Sequence, residues 1–140
     1  MTKQLLSELF DFLDLNTQFQ KSSAEHSYQL ALVAWYLITK HKLPLDLTLV
    51  IKYSLIHDLT KEDAKKELEI KFPDFRDVHH LINSHSKKAY EESKFVYALD
   101  KLIPLLHDHK NNNGKITSDT DGLKFESEVV ERYFQELVRE

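Results

Sequence analysis

The sequence contains no cysteine among its 140 residues. This absence excludes disulfide scaffolds, cysteine nucleophiles, thiolate zinc sites and iron–sulfur clusters, so any bound metal must be held by histidine, carboxylate or backbone oxygen. Only 2 glycines and 3 prolines occur, and each proline lies where a helix is predicted to begin or end. No apolar run approaches the ~20 residues of a membrane span. The stretch MTKQLLSELFDFLDL carries acidic residues, which is unlike a signal peptide.

The residues that are present are typical of one globular domain. Hydrophobic residues make up 41% of the chain and charged residues 30%, with a formal net charge of −4. A mildly acidic chain of this kind is not expected to bind nucleic-acid polymers, and nothing in it points to a membrane. We therefore expect a cytoplasmic protein. Histidine occurs 8 times, and its placement is more informative than its number.

Apolar side chains recur at helical spacing along most of the chain, and no strand-like alternation extends beyond a few residues. Ser22 followed by Glu25 forms a capping-box pattern that predicts a helix start near residue 23. Pro104 is predicted to end a long helix, and the polar segment 107–122 to form a loop. The sequence therefore predicts an all-α, single-domain helical bundle over residues 1–140, with about six to seven helices. The predicted helices cover residues 3–15, 23–40, 46–57, 61–70, 74–84, 87–103 and 124–138.

Four ionisable residues fall on apolar faces of three predicted helices. His26 shares a face with leucine and valine, His57 and Asp58 end an apolar helix, and Asp100 lies between apolar positions. Each has an ordinary explanation alone: a core histidine bonded to a carbonyl, a helix end, or a carboxylate paired with a basic residue. Burying each one alone is costly, however, and one divalent cation would satisfy all four. Imidazole and carboxylate ligands suit Mn²⁺, Fe²⁺, Co²⁺, Ni²⁺ or Zn²⁺, with Mg²⁺ less natural beside two imidazoles.

The segments AEHSYQLALVAWYLI, KYSLIHDL and ESKFVYALDKL occur in this order, and they resemble the HD-domain superfamily of metal-dependent phosphohydrolases. Within this superfamily they are similar to the small single-domain HD hydrolases that include 5′-deoxynucleotidases, over about residues 20–105. The resemblance implies a compact helical bundle that holds one divalent metal ion with His26, His57, Asp58 and Asp100. It implies hydrolysis of a small phosphomonoester, a nucleoside 5′-monophosphate, by water that the metal activates.

The resemblance also suggests catalytic and substrate-binding residues. Asp58 would both bind the metal and position or deprotonate the attacking water. Nucleotidase-like members carry a glutamate three residues after this aspartate, whereas here Lys61 occupies that position and Glu62, the second catalytic candidate, follows it. Where relatives have an upstream arginine for the phosphate, this chain offers Lys21. Lys61 and Lys101 are further candidates for substrate binding.

Other histidines and aromatic residues are assigned less specific roles. His79, His80 and His85 are predicted at surface positions of a helix, with a second metal as the alternative. His107-Asp108 repeats the HD dipeptide but is predicted to be solvated in the polar loop. The aromatic residues are predicted mainly to fill the core. Tyr97 and Lys101 are also candidates for the rim of the substrate pocket. The four aromatic residues considered are Trp35, Tyr36, Tyr53 and Tyr97.

Three alternative functions stay open at this stage. A catalytically degenerate HD fold would serve as a nucleotide-binding or regulatory module without turnover. A di-iron oxygenase would need additional ligands, and a helical interaction protein would use the four ionisable residues as a buried network. Relatives are often homodimers, and the apolar side of the N-terminal segment, formed by Leu5, Leu9 and Phe12, is a candidate dimer surface.

Overall fold

The structure is a computed structural model that describes Ser7, Phe10, Asp11 and residues 24–139. These residues form six α-helices and one 3₁₀ turn with no strand, which confirms the predicted all-α class for the described chain. Ser7, Phe10 and Asp11 are helical and exposed, and the rest of the helix predicted over residues 3–15 lies outside the described residues. The elements are α1 (Ala24–His41), α2 (Leu47–Ile56), the 3₁₀ turn (His57–Thr60), α3 (Glu62–Lys71), α4 (Arg76–Ser86), α5 (Glu91–Asn111) and α6 (Glu128–Val138).

The core lies between α1, α2 and α5, each of which packs against the other two. α4 packs on α2, and α6 packs on α5. Each large apolar side chain that becomes fully buried contributes about 1.5–3 kcal/mol. No helix in the described part of the chain is long and apolar enough to cross a membrane. The fully buried side chains of the three central helices include Leu30, Ala34, Val50, Tyr53, Val96 and Leu99.

The turn between α1 and α2 fixes where α2 begins. Lys42 adopts a left-handed φ of 51° directly after α1, a conformation that ends helices. Asp46 then caps α2, because its carboxylate accepts a hydrogen bond from the Leu49 N–H at 3.3 Å. The backbone N–H of Asp46 donates to the carboxylate of Glu92 at 2.9 Å. This contact ties the start of α2 to the first turn of α5.

α5 continues through Pro104 to Asn111, so the predicted helix end near Pro104 is wrong. A proline inside a helix removes a backbone hydrogen bond and costs about 3 kcal/mol. Leu102, Ile103 and Leu105 flank this proline and are buried in the core. Since each contributes roughly 1.5–3 kcal/mol, their burial together outweighs the proline penalty. Pro104 itself is exposed, so its ring faces away from the core.

The connection between α5 and α6 differs from the predicted loop over residues 107–122. Residues 112–127 form the non-helical connection, and α6 begins at Glu128 rather than near residue 124. Asp108, still on α5, accepts hydrogen bonds from the N–H groups of Thr117 and Ser118 at 2.8 and 3.0 Å. These bonds hold the connection against the end of α5. Ser127 caps α6 by accepting from the Val130 N–H at 3.5 Å.

The aromatic residues divide between core and surface. Tyr53 is fully buried, which confirms the prediction for that residue. The same prediction is wrong for Trp35 and Tyr36, which are exposed on α1. Helical spacing puts them on the opposite side of α1 from Leu30 and Ala34, the side that no described helix covers.

Candidate metal centre

Three parts of the fold bring the predicted metal ligands to one place. His26 lies in the first turn of α1, and Asp100 lies in the middle of α5. His57 and Asp58 open the 3₁₀ turn directly after α2. One ligand atom from each of His26, His57 and Asp100 lies within 4.8 Å of the other two. We call the four residues the histidine–aspartate cluster.

Short contacts link all members of the histidine–aspartate cluster. His26 Nε2 lies 2.7 Å from Asp100 Oδ1. His57 Nε2 lies 3.3 Å from Asp58 Oδ1 and 3.7 Å from Asp100 Oδ1. The rings of His26 and His57 meet edge to face, with 5.5 Å between their centroids. Two imidazoles and the carboxylate of Asp100, from three separate chain segments, therefore lie close enough to share one ion, and Asp58 lies beside His57.

The backbone of α2 fixes which nitrogen of His57 faces the cluster. His57 Nδ1 lies 2.7 Å from the carbonyl oxygen of Ser54. Because a carbonyl can only accept, Nδ1 carries the proton and donates it. In the neutral ring Nε2 then presents a lone pair toward the two aspartates. A histidine held through one nitrogen by a carbonyl, with the other nitrogen directed at a metal, is the usual arrangement in metal sites.

Asp58 provides a second sign that a cation belongs here. Its Oδ2 is buried and has no hydrogen-bond partner among the described residues. A buried carboxylate oxygen without a partner costs several kcal/mol. His57 Nε2 lies beside the other oxygen of the same carboxylate. A divalent ion bound by the histidine–aspartate cluster would satisfy the buried oxygen, so these residues fit the metal that the sequence predicts.

The comparison with known families agrees with this geometry. Residues 12–65 match the family model of the HD domain. This match supports the resemblance to the HD-domain superfamily. No curated protein and no solved structure matches it. The matched segment contains His26, His57 and Asp58, whereas Asp100 joins them only through the packing of α5. HD-domain proteins are usually metal-dependent phosphohydrolases.

His85 is only 1% exposed, so the prediction that it lies on the surface is wrong. Its ring is stacked between Tyr53 and Tyr97, with centroid distances of 4.8 and 4.4 Å. Ser93 Oγ lies 2.8 Å from Nδ1 and 3.0 Å from the carbonyl oxygen of the same histidine. Burial, reinforced by the nearby His57, lowers the pKa of His85 to about 4, although Asp100 opposes this shift. His85 is thus a neutral imidazole next to the histidine–aspartate cluster.

Helical periodicity contained a signal for this burial. His85 follows Val78 and Ile82 at intervals of four and three residues, and both are buried on the same side of α4. The polar residues around them obscured this pattern in the sequence.

Tyr97 connects His85 to the 3₁₀ turn. Its hydroxyl forms a hydrogen bond with Thr60, and Thr60 Oγ1 donates to the carbonyl of His57 at 2.7 Å. Burial raises the pKa of Tyr97, while Lys88, whose ammonium lies 5.1 Å from the ring centroid, opposes the rise. The ring is partly buried one turn before Asp100, and its place at the rim of a pocket stays a prediction.

The predicted substrate-binding and acid–base residues lie around the cluster rather than in it. Lys21 lies outside the described residues. Lys61 is exposed immediately after the 3₁₀ turn, and Lys101 is exposed beside Asp100. Glu62 is exposed in the first turn of α3, and its carboxylate lies 3.5 Å from the ammonium of Lys66. The assigned roles of Lys21, Lys61, Lys101 and Glu62 stay predictions.

The second His-Asp pair, His107 and Asp108, contacts other parts of the fold. His107 and Asp108 lie on α5 instead of in a loop, which corrects the sequence prediction. The hydrogen bonds from Thr117 and Ser118 lower the pKa of Asp108 to about 2. His107 Nε2 lies 2.9 Å from Gln29 Oε1 on α1.

Of the other predicted surface histidines, His80 is exposed. His79 is partly buried, and its Nε2 donates to the carbonyl of Phe72 at 2.8 Å. The described residues contain only one grouping of three metal-ligand side chains, formed by His26, His57 and Asp100. His79, His80 and His85 do not assemble a second one.

Proposed function

We propose that this HD domain is a metal-dependent phosphohydrolase that cleaves a small phosphomonoester, a nucleoside 5′-monophosphate. The observation that carries the proposal is the convergence of His26, His57 and Asp100 within 4.8 Å of one another, next to Asp58, whose Oδ2 is buried without a partner among the described residues. A divalent cation would satisfy these groups together. A divalent ion held by the histidine–aspartate cluster supplies electrophilic activation of a phosphate oxygen and of water.

In this reaction, different residues orient the metal ligands and accept the proton. Ser54 and the end of α2 hold His57 in the orientation that ligation requires. Asp58 has one oxygen toward His57 and a second without a protein partner, and that second oxygen can accept a proton from the attacking water. The water oxygen forms a bond to phosphorus as the ester P–O bond breaks. The products are inorganic phosphate and the alcohol, which takes up a proton.

Basic residues close in sequence to the cluster support an anionic substrate. Lys61 follows Asp58 by three residues, and Lys101 directly follows Asp100. Both are exposed, so their positive charges would favour the approach of a phosphate from solvent. Lys21 is proposed as a third contact. Lysine supplies point charges rather than the two-pronged contact of an arginine, which favours small phosphomonoesters without strict geometric selection.

The experiment is phosphate release from ribo- and deoxynucleoside 5′-monophosphates, with the protein loaded in turn with Mn²⁺, Co²⁺, Ni²⁺, Fe²⁺, Zn²⁺ and Mg²⁺. We expect release that depends on the metal. Asp58→Asn should abolish it because the amide can neither replace a charged ligand nor accept the proton. The chain supplies a matched control in its second His-Asp pair, since Asp108→Asn alters the same dipeptide on α5 and should retain release.

Metal binding is measured independently by calorimetry and by thermal unfolding. An ion at about 100 times its dissociation constant should stabilise the fold by about 2.7 kcal/mol. His57→Ala should lose this stabilisation and His107→Ala should keep it. Equal metal binding by His57→Ala and the unchanged protein would contradict the assigned site. Metal binding with tight nucleotide binding but no phosphate release would contradict the enzyme and favour the regulatory module.

A further inference from the structure

Lys88 is a basic residue close to the candidate metal centre. It follows α4, and its ammonium lies 5.1 Å from the centroid of the Tyr97 ring. Tyr97 lies one helical turn before Asp100, and its hydroxyl is hydrogen-bonded to Thr60 in the 3₁₀ turn that begins with His57. Through Tyr97, Lys88 is therefore placed next to the histidine–aspartate cluster.

The backbone of Lys88 adopts a conformation that lysine seldom takes. Its φ is 49°, in the left-handed region that favours glycine after a helix. Its N–H donates to the carbonyl of His85 at 3.0 Å. A residue other than glycine in this conformation indicates that its side chain has a use. Here the lysine side chain reaches the Tyr97 ring, which glycine could not do.

A carboxylate from a distant part of the chain contacts this ammonium. Lys88 Nζ donates to Glu126 Oε1 at 3.0 Å. Glu126 is held there because Phe125 is buried against Phe134, with 4.8 Å between the ring centroids, and Ser127 caps α6. The side chains of Lys88 and Glu126 are 34% and 51% exposed. An ion pair with this exposure contributes little to the stability of the fold.

The surroundings of the Glu126 carboxylate are basic. The hydrogen bond and the charge of Lys88 lower the pKa of Glu126, and the charges of Lys94 and Lys101 lower it further. Lys94 and Lys101 are seven residues apart on α5, which places them on the same side of that helix. Glu126 thus lies in the field of three lysines, where a doubly charged phosphate would be attracted more strongly than a carboxylate.

We propose that Lys88 is a substrate-binding residue: its ammonium binds the substrate phosphate beside the histidine–aspartate cluster, after the phosphate has displaced the carboxylate of Glu126. This inference rests on the proposed function, which makes the substrate a phosphate ester. A phosphate offers up to two charges and several acceptor oxygens, whereas Glu126 offers one charge. In the absence of substrate, Glu126 holds the ammonium of Lys88 in position.

Binding of inorganic phosphate to the metal-loaded protein, measured by calorimetry, tests the proposal without requiring turnover. Lys88→Gly removes the ammonium and suits the left-handed backbone, so it should weaken phosphate binding roughly 10-fold. Glu126→Gln breaks the same ion pair from the other side, but it should strengthen phosphate binding about 3-fold because it removes a competing charge. An ion pair with only a structural role would not give these opposite effects.

The matched control is Lys42→Gly. Lys42 also has a left-handed φ, 51°, directly after a helix, but it lies about 24 Å from His26 along the axis of α1. Its substitution should leave the affinity for phosphate unchanged.

Three results would overturn the proposal. They are equal phosphate affinity in Lys88→Gly and the unchanged protein, weaker phosphate binding in Glu126→Gln, and no phosphate binding by the unchanged, metal-loaded protein. Phosphate binding that depends on Lys88, without phosphate release from any nucleotide, would support this inference and contradict the proposed phosphohydrolase. The two proposals can therefore fail separately.

Discussion

Acid should destabilise this protein through His85, the buried imidazole next to the histidine–aspartate cluster. Burial and the neighbouring His57 lower its pKa from 6.5 to about 4 in the folded state. The unfolded chain therefore binds this proton at a higher pH than the folded chain does. It follows that the stability linked to His85 is complete above pH ~6.5 and is lost as the pH falls toward and through ~4.

The size of the effect follows from the pKa difference. Each pKa unit corresponds to about 1.4 kcal/mol, so the loss reaches about 2 kcal/mol at pH 5 and about 3 kcal/mol at pH 4. A domain of this size is stable by only about 5–15 kcal/mol. Protonation of this one side chain should therefore remove a substantial part of the total free energy of unfolding.

The assay is urea unfolding followed by circular dichroism between about pH 7 and pH 4.5. The variant is His85→Phe, which keeps a flat ring between Tyr53 and Tyr97 but cannot take up a proton. The control is His80→Ala, which removes an exposed histidine from the same helix. Over this pH range, we expect the free energy of unfolding of His85→Phe to fall by about 2 kcal/mol less than that of the unchanged protein. The free energy of unfolding of His80→Ala should fall as much as that of the unchanged protein. Equal losses in all three proteins would refute the reasoning.

Three further substitutions test the fold and the site. Pro104→Ala should stabilise the fold by about 1–3 kcal/mol in urea unfolding, because residue 104 regains an N–H for the carbonyl of Asp100; an unchanged or lower stability would contradict this reasoning. Leu99→Ala should cost about 2–5 kcal/mol in urea unfolding because it leaves a cavity between fully buried side chains, whereas a cost below about 1 kcal/mol would contradict the core packing. Glu62→Gln should lower phosphate release only modestly, because Glu62 is exposed beside Lys66; a loss as large as that of Asp58→Asn would give it a direct catalytic role.

The histidine–aspartate cluster is adjacent to a set of aromatic rings that hold its surroundings rigid. His85, Tyr53 and Tyr97 form one stack, and Thr60 joins Tyr97 to the carbonyl of His57. This arrangement connects α2, α4, α5 and the 3₁₀ turn through side chains. Substitutions in the stack are therefore expected to affect metal affinity as well as stability.

Local sequence patterns were enough to predict most of the helices. Helical spacing of apolar residues located α1 to α4 and α6 to within a few residues, because this periodicity depends only on the order of the residues along the chain. Pro104 misled the prediction for α5. Its local penalty was clear from the sequence, but the burial of Leu102, Ile103 and Leu105 against other helices, which outweighs it, was not.

The residues of the candidate site were suggested by chemistry that is visible without a structure. His26, His57, Asp58 and Asp100 each appeared in an apolar context where a lone polar group is costly. The sequence could not state that they approach one another, because they come from different helices. Only the packing of α1, α2 and α5 brings His57 Nε2 to 3.7 Å from Asp100 Oδ1 and leaves Asp58 Oδ2 buried without a partner.

The sequence by itself thus determined the all-α class, the approximate positions of most helices and the chemical type of the ligands. The tertiary structure decided which faces are covered. In the folded chain, His85 is buried between two tyrosines, and Trp35 and Tyr36 are exposed on α1. Asp108 binds the connection after α5 and is not part of the candidate metal centre. The physical reason is that helix formation depends on neighbours along the chain, whereas burial and electrostatic environment depend on residues far away in sequence.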